Sequence, residues 1–88
     1  MNNMSRSFDH RTYAPKVGDI VYNTRGQFRK VLRVERRATD EGHTKRTYVT
    51  FIQSFLKTGK LGKLEESEAL GKFRTWAEGG RLQRDDLA

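Results

Sequence analysis

Arg29, Arg33 and Arg37 recur every fourth residue, and Arg46 and Tyr48 follow after a polar stretch. On an extended strand this spacing sets the three guanidiniums on one side, about 14 Å from one to the next. Guanidinium forks match phosphate oxygens, and a tyrosine ring is a platform on which a base stacks. The chemistry this pattern fits is the grip of a polyanion. An ordinary solvated sheet face, partly neutralised by Glu35, is the competing reading. Val31 and Ile52 fall on the same face and add a third, because basic plus apolar exposure also suits an acidic protein partner.

Lys57, Lys60 and Lys63 form a second basic set, interleaved with Gly59 and Gly62. The glycines let a backbone approach a phosphate closely. The segment lacks the Gly-Lys-Ser/Thr ending of a nucleotide-binding P-loop, so it reads as a phosphate-contacting loop or a solvated one. Catalytic sets are missing. There is no cysteine, His10 lies in an N-terminal polar stretch, and His43 stands near Asp40 and Glu41 in a polar loop. No serine has a Gly-x-Ser-x-Gly context. The expectation is a non-enzyme with no cofactor and no metal.

The elements that must position these residues follow from periodicity. Lys16 to Tyr22 reads as a first strand, with Ile20 and Tyr22 on one face and Asp19 and Val21 on the other. Asn23-Thr24-Arg25-Gly26 reads as a turn. Gln27 to Arg37 alternates with period two, and Arg46 to Phe55 is rich in β-branched and aromatic residues. An antiparallel register that sets Val34 opposite Val49 also sets Leu32 opposite Phe51 and Phe28 opposite Phe55. It buries an apolar face and turns Arg29, Val31, Arg33, Glu35 and Arg37 outward, with Arg46, Tyr48, Thr50 and Ile52. A short strand is possible at Leu61 to Leu64. Ser67 reads as a helix N-cap for a helix at about 67–78, with Glu65, Glu66 and Glu68 near its positive end. Leu70, Phe73 and Ala77 make its apolar stripe, Trp76 flanks them, and Gly79-Gly80 stops it. Phe73 and Trp76 are read as core.

The chain has 88 residues and a net charge of +7. Residues 1–64 hold 14 basic and 5 acidic side chains, and residues 65–88 hold 4 and 6. A basic body with this asymmetry attracts polyanions. Leu, Ile, Val and Phe number 19, a share just above the ~20% below which a charged chain stays unfolded. One small core is therefore allowed. The expected organisation is a flexible arm over 1–15, a single domain over 16–78, and a polar tail over 79–88. The arm interleaves Arg6, Phe8, Arg11 and Tyr13, a mix suited to stacking on bases. No apolar run is long enough for a bilayer, and residues 1–4 open no signal peptide, so the expected location is the cytoplasm.

The stretch Val17-Gly18-Asp19-Ile20-Val21, then Gly26, then Arg29 to Val34, resembles the opening of small Src-homology-3-like barrels of the Tudor and KOW types. Phe73-Arg74-Thr75-Trp76-Ala77 is similar to the closing helix of small phage- and plasmid-type barrel proteins. The resemblance covers residues 16–78. It implies a mainly β fold with one C-terminal helix, as a small antiparallel barrel or a strongly bent sheet. It implies a host cytoplasm if the chain is phage-encoded. The first functional expectation is a basic nucleic-acid-binding module for DNA or RNA, using Arg29, Arg33, Arg37, Arg46, Tyr48, Lys57, Lys60 and Lys63. The alternative is an accessory protein that binds an acidic host protein surface and modulates or inhibits it. A homodimer through an exposed strand edge is the third.

Overall fold

In the computed structural model, the residues described are 6–38, 45–54 and 61–84. The elements run β1 (Arg6–Ser7), β2 (Ile20–Tyr22), β3 (Phe28–Ala38), β4 (Lys45–Ser54), β5 (Leu61–Ala69), α1 (Leu70–Trp76) and β6 (Arg81–Gln83). The strands make one sheet in the order β1-β6-β2-β3-β4-β5, and every neighbouring pair is antiparallel. The protein is thus mainly antiparallel sheet with one short helix. Among the described residues the sheet is open, ending at β1 and β5, rather than closed into a barrel.

The turn between β2 and β3 forms where its composition puts it. The Asn23 carboxamide oxygen accepts from the backbone N–H groups of Arg25 and Gln27, and Gly26 takes φ +85°. A side chain that bonds its own backbone two residues on, followed by glycine at positive φ, is a self-sufficient turn.

β3 and β4 pair in the expected register over their outer half: Arg33 opposite Thr50, Val34 opposite Val49, Glu35 opposite Tyr48, and Arg37 opposite Arg46. The inner half departs from it. A bulge between Val31 and Arg33 absorbs one residue, after which Val31, not Leu32, lies opposite Phe51, and Arg29 lies opposite Gln53. The reason is in the spacing of the apolar residues. Val49 and Phe51 are two apart and share a face. Val31 and Val34 are three apart and cannot share one in a regular strand, but one extra residue lets both face the same way. The expected apolar face is corrected accordingly. Val49 and Phe51 are buried, Phe28 and Leu32 are only half-buried, and Val34 is 38% exposed. Phe55 lies outside the described residues.

The core consists of Tyr13, Val21, Val31, Val49, Phe51, Phe73 and Ala77, with Phe8, Leu70, Trp76 and Leu82 packed around it. Phe73 and Ala77 come from the helical stripe, as expected. Phe73 meets Phe51 edge-on at 5.5 Å and stacks against Tyr13 at 6.3 Å. Such ring pairs add to area burial.

Three expected boundaries move. Ser67 is not an N-cap but part of β5, where its hydroxyl lies 2.8 Å from that of Thr50 on β4. The helix begins at Leu70, its N-cap Ala69 makes no side-chain bond, and Gly79 at φ +76° ends it. Pairing with β4 registers six of the nine residues of β5, Glu65 to Ala69 without a break, and it outweighs one cap contact and a dipole interaction, each near 1 kcal/mol. The stretch read as an N-terminal arm donates Tyr13 to the core and β1 to the sheet edge. The stretch read as a tail inserts β6 between β1 and β2.

Candidate nucleic-acid interface

The outer half of the β3–β4 hairpin gathers the basic residues. Arg33, Glu35 and Arg37 alternate along β3, and Tyr48 and Arg46 stand opposite the last two. All five share the face turned away from Val31 and Phe51, as the alternation requires. Arg37 bonds Glu35 at 2.6 Å, reaches the Ser67 hydroxyl at 3.4 Å, and lies 4.8 Å over the Tyr48 ring. Tyr48 therefore braces a guanidinium instead of offering a bare platform. Arg33 bonds Glu65 of β5 at 2.9 Å, and both side chains are about half-exposed. Arg46 is exposed and carries no ion pair to a described residue.

Arg36 and Lys45 join this end of the hairpin, opposite Thr47 and Ala38. They were not among the expected contact residues. The signal was present, since the Arg36-Arg37 and Lys45-Arg46 dipeptides flank the connecting loop. Face alternation hid it, because it assigns one residue of each dipeptide to the opposite side. At a hairpin end, charges on both faces converge on the same solvent.

Arg29 does not belong to this surface. The bulge turns it to the core face, where it is 6% exposed. Its guanidinium lies 4.1 Å over Phe51 and 4.0 Å over Trp76, with Glu68 at 3.0 Å and the Gln53 carboxamide oxygen at 2.8 Å. Burial pulls its pKa down, against the pull of Glu68 in the other direction. Aromatic faces, a carboxylate and an amide oxygen leave this group satisfied where it is. Its role is to hold β3, β4, β5 and α1 together. Lys63 is exposed on β5, two residues before Glu65. Lys57 and Lys60 lie outside the described residues, as do Asp40, Glu41 and His43.

Among the described residues, no three metal-ligating side chains come together and no helix is long and apolar enough to cross a membrane. No protein-family model, curated protein or solved structure matches the chain.

Proposed function

We propose that the protein is a small basic nucleic-acid-binding module that holds the phosphate backbone at the outer end of its β3–β4 hairpin. The observation that carries this reading is the direct opposition of Arg37 and Arg46 on one face. Like charges placed opposite each other across strands weaken a sheet. Arg36 and Lys45 add to the same potential, and Glu35 is the one carboxylate among residues 33–38 and 45–48. An arrangement that costs folding energy in isolation becomes favourable when phosphates settle between the guanidiniums. Contact is electrostatic and carries little base preference, since phosphate contacts position a ligand without reading it. The resemblance to Src-homology-3-like barrels of phage and plasmid type supports a binding module without choosing its ligand.

A salt-titrated binding assay with duplex DNA, single-stranded DNA and RNA tests it. If Arg33, Arg36, Arg37, Lys45 and Arg46 neutralise about five phosphates of a duplex, log K falls with log salt at a slope near −4.5. Replacing Arg37 and Arg46 by Ala together should bring the slope to about −3 while the thermal transition stays within a few degrees, because both are exposed. A flat salt response, or no binding at low salt, overturns the proposal. The second reading, docking on an acidic host protein, draws on the partial exposure of Val34, which lies between Arg33 and Glu35 in β3 but on the opposite face of the strand. A single stoichiometric protein partner that survives nuclease treatment would select it.

A further inference from the structure

β5 is one end of the sheet, and among the described residues nothing pairs with its outer side. It spans nine residues, of which Gly62, Lys63 and Leu64 bulge out of register with β4 between the Ile52–Glu65 and Ser54–Leu61 pairs, whereas the opposite end strand, β1, has two. A long open edge offers a row of backbone donors and acceptors to any strand that fits it. Leu64, near its middle, is 74% exposed. Natural edge strands guard themselves with charges, and Lys63 and Glu65 flank this leucine. Their order is what decides the outcome.

We infer that β5 pairs antiparallel with β5 of a second copy of this chain, about a two-fold axis at Leu64. In that register Leu64 faces Leu64 of the partner subunit. Lys63 faces Glu65 of the partner subunit, the same pair recurs on the other side of the axis, and Gly62 faces Glu66 of the partner subunit. Charges that would repel most strands attract an identical one, because Lys-Leu-Glu reverses its sign about its centre. Arg33 already bonds Glu65 at 2.9 Å, so each interface carboxylate would lie between Arg33 and an incoming lysine. Cross-strand leucine and opposite-charge pairs each favour such a junction.

The axis is perpendicular to the joined sheet, so equivalent faces of the two copies point the same way. The faces bearing Arg33, Arg37 and Arg46 would form one continuous surface. With strands about 4.8 Å apart, β4 and its counterpart would lie about 14 Å from each other. Self-association stands without the nucleic-acid reading and is measured in the absence of nucleic acid.

Light scattering and sedimentation of the full chain across a wide concentration series test the pairing. The native chain should show a reversible monomer–dimer equilibrium. Lys63→Glu sets like charges opposite each other twice and should weaken dimerisation about tenfold. Glu65→Lys should do the same. The double variant Lys63→Glu/Glu65→Lys restores the attraction in reversed order and should return the dimer to near the native constant. Any new repulsion between Lys and Arg33 within one chain is common to monomer and dimer, so it cancels from the association constant. A chain that is monomeric throughout, a Lys63→Glu variant that dimerises like the native one, or a double variant that fails to recover overturns the inference.

Discussion

Asp19 is 1% exposed and receives hydrogen bonds from three residues on two distant stretches of the chain. The Tyr13 hydroxyl donates to it at 2.6 Å, the Lys16 backbone N–H at 2.9 Å, and the Arg84 guanidinium twice at 2.9 Å. Burial pushes the carboxyl pKa up, but the donors from Arg84, Tyr13 and Lys16 together outweigh it and hold the group below its ordinary value. A carboxyl lowered on folding contributes stability in full above its unfolded pKa, near 3.9, and loses it as pH falls through the folded value. Asp19→Asn should therefore cost about 3 kcal/mol at neutral pH, the scale for breaking a buried charge pair. Urea unfolding over a pH series should show that deficit constant down to about pH 4 and shrinking below it. A deficit that persists unchanged in strong acid would show that shape, not charge, explains the residue. The same side chain also pushes the Tyr13 hydroxyl far above its usual pKa, after burial as the larger cause. Tyr13 therefore stays a donor at any working pH.

At the scale of elements, the bulge in β3 decides which arginines face solvent. With it, Arg29 and Val31 enter the core face, and Arg33 and Arg37 stay outside. Without it, either Val31 or Val34 would be turned from the face that Val49 and Phe51 share. The approach of the helix exit to β2 is the second tight junction. A methyl group added at Gly80 would overlap the Tyr22 carbonyl oxygen, and the neighbouring backbone of Asn23 leaves no slack. Backbone cannot rotate aside as a side chain can. Gly80→Ala should cost at least the 1–3 kcal/mol or so typical of overpacking, read as a lower denaturation midpoint with an unchanged m-value. A variant as stable as the native chain would mean that β6 can shift along β2 without loss.

Across the whole molecule, chain ends and centre depend on each other. β6 fills the gap between β1 and β2, and Arg84 also bonds the Ala14 carbonyl oxygen at 3.0 Å. A chain stopped after Gly80 would leave β2 as an edge, detach β1, and strip Asp19 of its arginine. It should lose its cooperative thermal transition, as followed by circular dichroism, while a sharp transition near the native midpoint would show that residues 81–88 only decorate the fold. The same wholeness sorts the charges. Glu65 and Glu68 of the acidic C-terminal portion spend themselves on Arg33 and Arg29. The outer end of the hairpin keeps its positive excess, which is where a polyanion would be drawn.

Local pattern was enough to specify the β2–β3 turn, the long β3–β4 hairpin, its outer register, the Phe73 and Trp76 packing face and the basic excess. Each of these depends on neighbours within a few residues or on one strand's alternation, so the sequence carries them directly. It did not reveal the bulge at Leu32, the burial of Arg29, the extension of β5 through Ser67 or the insertion of β6. Those rest on partners far along the chain: Arg29 meets Glu68, Ser67 meets Thr50, and Asp19 meets Arg84. Alternation names two faces for a strand but not which one is covered. Only the packing of α1 and Tyr13 over the sheet decided that here, because burial is a property of what lies above a residue and not of the residue alone.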